Sequence, residues 1–264
     1  MFWGPKRYKL LDRDDEEWQL ACWSWLIENL GGLASLEEQL LIIPTAEFFR
    51  RPKSGDNPAE HYFSEVIRLT GMQHWPFRLV EQEMEIDPKL APLAIVRNAP
   101  HDPLGTFHPQ SENEILITFS PELLDRPEDL IATFAHEISH GVVRSIGKAP
   151  PGGWENEEFT TDLTMAFLGF GVFGANSAFR FSQFSDTSTG TQGCSFQRAG
   201  YLSQLEWSFA IAVFLALKGD EPDQALRFLN PGPAASLKKC LKYLHKFPEC
   251  LEIIQEQVSV VSKP

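Results

Sequence analysis

The stretch DRPEDLIATFAHEISHGVVRSIG, residues 125–147, carries the clearest pattern in the sequence. Its apolar residues recur at the spacing of one helix face, at Leu130, Ile131, Phe134, Ile138 and Val142. Pro127 stands in the first turn, where its missing N–H costs little, inside a capping-box pattern from Asp125 to Glu128. Gly147 follows the last apolar residues and predicts the end. The stretch therefore predicts one long, capped amphipathic helix.

Working outward, periodicity predicts further helices at residues 16–30, 37–43, 60–70, 156–168, 201–217, 222–229 and 235–246. Alternating or short apolar runs predict strands at residues 77–86, 93–96 and 114–119. Residues 98–113, rich in Pro, His and Asn, are predicted to form a loop. Residues 169–200 lack periodicity and are predicted to be a long irregular segment that walls a cleft and restricts it to small or specific substrates.

These elements predict an α+β fold, mainly helical, with a small sheet beside the helix of residues 125–147. We expect a single domain over residues 1–264. It would comprise an N-terminal helical region (1–76), the sheet with its neighbouring helices (77–172), and a cleft segment with C-terminal helices (173–264).

Composition limits the classes of partner. With 23 basic and 36 acidic side chains, the formal net charge is −13. Such a chain lacks the basic surface that general nucleic-acid binding needs, and it would be repelled by anionic membranes. The sequence shows no signal-peptide pattern, and its longest apolar stretch, around residues 209–217, is too short to span a bilayer. Four scattered cysteines form no CxxC pair, so a reduced, cytoplasmic location is expected.

The chemistry-bearing motif is His136-Glu137-Ile138-Ser139-His140, the pattern HExxH. Residues four apart share one helix face, so His136 and His140 can bind the same metal ion. Zinc suits these nitrogen ligands and makes a water molecule acidic. Glu137 lies beside them and would take the proton of that water as general base.

A catalytic zinc site normally has a third protein ligand. Glu158 follows His140 by 18 residues, after a turn-forming GKAPPGG segment, and would reach the metal from the next helix. Asp162, one turn further on, would accept the N–H of a ligand histidine. Glu155 and Glu157 compete with Glu158 for the third position, and Asp162 itself is another alternative.

HExxH followed by ExxxD on the next helix resembles the gluzincin, or thermolysin-like, metallopeptidases over residues 112–170. The resemblance implies a zincin-like core, with zinc bound by His136, His140 and Glu158, Glu137 as general base, and Asp162 supporting a ligand histidine. It also implies that the strand EILITF borders the substrate cleft and can pair with an extended peptide. Metzincins fit poorly, because Val143 and Ile146 stand where that family needs Gly and a third His.

The resemblance further implies a Tyr or His that stabilises the developing oxyanion. No motif identifies this residue. Tyr201 is the first candidate, because it lies downstream of the helix with Glu158, as the family's donor does. The other candidates are Tyr243, His245, Arg180 and Arg198.

The leading hypothesis is a zinc-dependent peptidase that acts on a peptide or a small amide. One rival is a non-catalytic scaffold in which zinc holds two helices together and a surface binds another protein. A third is a zinc amidohydrolase with a non-peptide substrate. The presence of Glu137 favours catalysis, since a purely structural zinc site needs no base.

Overall fold

A computed structural model describes residues 10–82, 105–111, 114–185 and 202–254. The helices are α1 (Arg13–Asn29), α2 (Gly32–Glu38), α3 (Pro58–Thr70), α4 (Pro127–Ser145), α5 (Glu157–Phe167), α6 (Gly171–Ser185), α7 (Gln204–Lys218), α8 (Asp223–Phe228) and α9 (Pro231–Lys246). The strands are β1 (Phe77–Glu81), β2 (Gly105–Ser111) and β3 (Glu114–Phe119). This mainly helical fold with a small sheet confirms the predicted α+β class.

The chain divides into two compact units, one formed by Met1–Pro44 with Val142–Pro264 and the other by Thr45–Gly141. The division falls inside helix α4, which is continuous from Pro127 to Ser145. The first unit is helical, and the second contains α3, the sheet and most of α4. That the chain forms one domain stays a prediction.

Helix α7 forms the centre of the first unit. Its residues from Glu206 to Leu215 are all buried, as expected of a helix that is apolar all round. Trp23 of α1, which is fully buried, packs its indole against Phe167 of α5 and Phe214 of α7 at centroid distances of 6.0 and 6.5 Å. Within the described part of the chain, no helix is both long enough and apolar enough to cross a membrane.

The predicted helix over residues 37–43 is misplaced. Helix α2 begins earlier, after Gly31 in a left-handed conformation, and ends at Glu38. The Lys218 ammonium donates hydrogen bonds to the carbonyls of Leu36 and Glu37, which satisfies carbonyl groups at this helix end. The chain then runs without helix, because the Ile42 N–H bonds the carbonyl of Gly169 at 2.9 Å. A long-range contact therefore outweighs local helix propensity.

The same contact makes Gly169 sensitive to substitution. Its φ is +90°, and a Cβ atom there would collide with the backbone carbonyl of Leu40. Gly169→Ala is expected to lower the free energy of unfolding by about 2–3 kcal/mol, because backbone strain and a backbone clash add. Urea unfolding measures this loss. Gly219→Ala is the matched control, since Gly219 also has positive φ (+70°) but nothing within 4 Å. A Gly169→Ala loss no larger than that of the control would contradict the expectation.

Residues 171–185 of the predicted irregular segment form helix α6 instead. The reason is close packing on α7. A Cβ at Gly171 would lie 2.8 Å from Cγ1 of Ile211, and one at Gly174 would collide with the Trp207 indole. Glycines that weaken a helix in isolation here allow two helices to approach. Residues 186–200 lie outside the described part of the chain, so the proposed cleft wall stays a prediction.

The sheet of the second unit has the strand order β1-β3-β2, with β1 parallel and β2 antiparallel to β3. Ile117 and Phe119 of β3 are buried on one face of the sheet, where the Phe119 ring contacts Phe134 of α4. The strand predicted at residues 114–119 is confirmed, and the one predicted at 77–86 is confirmed over Phe77–Glu81, while residues 83–86 lie outside the described residues. The strand predicted at residues 93–96 lies outside the described residues.

Strand β2 lies inside residues 98–113, so the loop predicted there is wrong. Pro109 hid the strand, because proline cannot donate a ladder hydrogen bond. It is tolerated here because β2 is an edge strand, with an irregular register between Pro109 and Ser111. Strand β3, in contrast, is central and paired on both sides. The expectation that β3 (EILITF) pairs with an extended peptide is therefore wrong, because its backbone groups are already used by two neighbours.

Candidate metal centre

Helix α4 is held in place by Phe134, which lies two residues before His136. The Phe134 ring is fully buried and makes edge-to-face contacts with Phe63 of α3 at 5.1 Å and with Phe119 of β3 at 5.8 Å. Such aromatic contacts stabilise both the position and the rotation of a helix. The helix backbone that carries the HExxH residues is therefore held in one position.

His136 and His140 lie one turn apart on α4, as the motif predicts. Their ring centroids are 4.8 Å apart and the rings are nearly perpendicular, at 87°. His140 is buried and His136 half-buried. Two imidazoles this close, on one helix face, form a compact pair of nitrogen donors.

Glu158 of α5 completes a group of three. The ligand atoms of His136, His140 and Glu158 all lie within 4.8 Å of one another. Glu157, a competing candidate, forms an ion pair with Arg144 at 2.7 Å, which joins the end of α4 to the start of α5. Among the three neighbouring glutamates, Glu158 is thus the one that joins the histidines.

The donor set of this group fits a zinc ion. Two imidazole nitrogens and one carboxylate oxygen are the protein ligands of many catalytic zinc sites. Two ligand atoms bonded at about 2.1 Å to a tetrahedral ion lie roughly 3.4 Å apart. The three ligand atoms can therefore reach one ion by small side-chain rotations. The group shows a potential metal site, while zinc as its metal stays a proposal.

Two buried thiols, those of Cys22 and Cys240, stay protonated at neutral pH. Burial raises the pKa of the Cys22 thiol to about 12, against a smaller lowering by its hydrogen bond with Thr160. Burial likewise raises the pKa of Cys240 to about 12. Since thiolate rather than thiol binds metal, both residues are inert structural cysteines.

Glu137, the predicted general base, is 6% exposed. Its Oε1 atom faces strand β2 at Gly105, where an added Cβ would lie 3.1 Å away. Burial of this kind holds a carboxylate in one position and limits its access to bulk water. Its catalytic role stays a prediction.

Asp162 is 3% exposed and lies one turn after Glu158. Its Oδ2 atom accepts a hydrogen bond from the backbone N–H of Leu202 at 2.9 Å, which ties α5 to the segment before α7. This contact was not foreseen and gives the buried carboxylate a structural partner. Its predicted role as partner of a ligand histidine stays a prediction.

The oxyanion-stabilising residue is not identified. Tyr201 and Arg198 lie outside the described residues, as does the side chain of Arg180. Tyr243 is 5% exposed and donates its hydroxyl hydrogen to Oε2 of Glu16 at 2.8 Å, inside the first unit. This hydrogen bond argues against Tyr243 as an oxyanion donor.

Sequence reasoning missed two residues next to the motif, Gly105 and Phe107. The Phe107 ring lies nearly parallel to the His140 ring, at an interplanar angle of 25° and a centroid distance of 6.3 Å. Both residues fall in the segment predicted as a loop. The local signal for this strand is the alternation of Gly105, Phe107 and Pro109 in the sequence. The prolines of the segment concealed that signal, because proline is unfavourable within strands.

Comparison with known proteins gives no relative to support these assignments. No protein-family model, curated protein sequence or solved structure matches the chain. The resemblance to gluzincins therefore depends on the motif residues, and the structure adds that His136, His140 and Glu158 come together.

Proposed function

We propose that this protein is a zinc-dependent hydrolase that cleaves peptides, with Glu137 as general base. The single observation that carries the proposal is the group of His136, His140 and Glu158, with ligand atoms within 4.8 Å of one another. Glu137 follows His136 directly on the same helix. A zinc site that is only structural would not require a carboxylate at this position.

The proposed chemistry divides between the metal and the chain. A bound zinc ion supplies Lewis acidity, which polarises a carbonyl and makes water acidic at neutral pH. His136, His140 and Glu158 would hold the ion. Glu137 would accept the proton of the attacking water at a carboxylate oxygen and then transfer it to the departing amine nitrogen. Its burial keeps this carboxylate beside the histidines.

One observation favours the rival scaffold function. At 6% exposure, Glu137 is less accessible than a base that must meet both water and substrate would ordinarily be. In the scaffold hypothesis, zinc would hold α4 and α5 together, and the protein would act by binding another protein. In the amidohydrolase hypothesis the same side chains act on a smaller, non-peptide amide.

Removal and return of metal separates these functions. The full chain is stripped with a chelator, reloaded with one equivalent of zinc, and incubated with a mixture of unrelated peptides and with N-acylated small amides. New amino groups are quantified by fluorescence and the products by mass spectrometry. We expect peptide cleavage by the zinc form, less than about 1% of that rate without metal, and full recovery on reloading.

The other outcomes are equally informative. Cleavage of the small amides alone would show an amidohydrolase. A zinc form that binds one equivalent but cleaves nothing would reject hydrolysis and favour the scaffold. Failure to bind zinc at all would reject both.

A further inference from the structure

Strand β2 contacts the HExxH motif at two successive positions of the same strand face. Gly105 faces Thr133 and Glu137, while Phe107 faces His140 and Gly141. Side chains two apart on a strand are separated by about 6.6 Å. Four residues of a helix rise about 6.0 Å. The strand and the helix therefore match in spacing, so that each β2 residue meets one functional residue of α4.

Gly105 is the point where the strand comes closest to the helix. A Cβ atom there would lie 2.5 Å from Cγ2 of Thr133 and 3.1 Å from Oε1 of Glu137. The neighbouring carbonyl of Thr118 would also be 3.1 Å away, so the strand cannot move aside without disturbing its own pairing with β3. Gly105 is the first residue of β2, and glycine in a strand often marks such a close approach. Here it lets backbone cover the Glu137 carboxylate.

Phe107 lies against the second histidine of the motif, His140. Its ring lies 6.3 Å from the His140 ring, nearly parallel to it. A Cβ at Gly141 would lie 3.1 Å from Cε2 of Phe107 and 2.8 Å from Cζ3 of Trp75. Two aromatic rings thus close on the helix backbone directly after His140. This packing restricts the directions in which the His140 imidazole can turn.

We propose that edge strand β2 is the positioning element of the site, with Gly105 holding the carboxylate of Glu137 and Phe107 holding the imidazole of His140. The Phe107 part depends only on metal binding by the group of His136, His140 and Glu158. The Gly105 part rests on the proposed function, because it concerns the general base. In this proposal each of the two residues acts through a residue of α4, Glu137 or His140.

The Phe107 part is tested by zinc affinity, measured by competition with a chromophoric chelator. Phe107→Leu is expected to weaken zinc binding about tenfold, the lower end of the range for residues that orient metal ligands. Phe107→Tyr keeps the ring and should stay within threefold of wild type. Phe48→Leu is the matched control, because Phe48 is also half-buried in the second unit but precedes helix α3 and is not part of the sheet. It should lower the Tm without weakening zinc binding.

The Gly105 part is tested in the Thr133→Ser variant, which removes the shortest contact that a side chain at position 105 would make. Thr133→Ser removes the Cγ2 atom, so that in Gly105→Ala/Thr133→Ser the added methyl group meets the Glu137 carboxylate and the Thr118 carbonyl, each at 3.1 Å. We expect kcat to fall at least tenfold relative to Thr133→Ser alone, while KM and zinc affinity stay within twofold. Small displacements of a reacting group have effects of this size.

A measurement that does not require enzyme activity makes the test of Gly105 independent of the proposed function. In metal-free protein, the Tm loss caused by Gly105→Ala in the Thr133→Ser background should shrink when Glu137→Ala removes the carboxylate. An inactive wild type would reject the peptidase proposal and leave this measurement intact. Equal Tm losses with and without the Glu137 carboxylate would reject positioning by Gly105.

If Phe107→Leu binds zinc as tightly as wild type, or loses no more zinc affinity than Phe48→Leu, positioning of His140 by Phe107 is rejected. If Phe107→Leu does not fold, Phe107→Met replaces it, since methionine keeps most of the volume without the ring. The same criterion then applies to Phe107→Met against Phe48→Met.

Discussion

Glu137→Gln is expected to reduce kcat on peptides about 10³-fold while one equivalent of zinc stays bound. Loss of a general base costs between about 10² and 10⁴ in rate. Glutamine has nearly the same shape, so the contact with Gly105 and the packing of α4 remain. Because the amide cannot accept the proton of water at neutral pH, the loss is one of chemistry and not of folding. Zinc content by metal analysis, kcat and KM give the result.

Glu16→Gln is the matched control for this substitution. Glu16 is 7% exposed, against 6% for Glu137, and its carboxylate accepts the Tyr243 hydroxyl in the first unit. The same neutralisation at an equally buried site should lower the Tm but leave kcat within about twofold. A Glu137→Gln protein that retains zinc and wild-type kcat would contradict the role of Glu137 as base. Equal losses in both variants would indicate a general effect of destabilisation.

Glu158→Ala is expected to weaken zinc binding more than 100-fold. It removes one of the three proposed protein ligands, and even residues that only orient ligands cost about 10- to 100-fold. With two imidazoles left, the ion loses both a bond and the local negative charge that offsets its own. Chelator competition at fixed pH measures the dissociation constant.

Two neighbouring acids serve as controls and test the alternatives for the third ligand. Glu157→Ala removes the ion pair with Arg144 and should leave zinc affinity within about threefold. Asp162→Ala leaves the buried N–H of Leu202 without its acceptor and should mainly lower the Tm. If either variant loses as much zinc affinity as Glu158→Ala, the ligand assignment is wrong.

The helices around the site were largely predictable because their signals are local. Apolar spacing and terminal glycines located α1, α3 and α5 to within a few residues. For α7 the predicted start was three residues early, since the capping box between Ser203 and Glu206 fixes it at Gln204. Helix hydrogen bonds join residues four apart, so the information lies within one short stretch.

Elements whose stability comes from distant partners were predicted poorly. Helix α6 depends on the close contacts of Gly171 and Gly174 with α7. Helix α2 ends where the Lys218 ammonium binds its last carbonyls and where the chain after it bonds to Gly169. Strand β2 depends on pairing with β3. None of these partners can be read from the residues themselves, because propensity describes an isolated segment and not its neighbours.

The sequence by itself determined the helix that bears His136, Glu137 and His140, and with it the pairing of two imidazoles on one face. Helix geometry alone sets that spacing. Only the tertiary structure decided that Glu158, among three nearby glutamates, joins them, and that the edge strand brings Gly105 and Phe107 against Glu137 and His140. Such contacts form between segments far apart in the chain, where no local hydrogen-bond rule links one residue to the other.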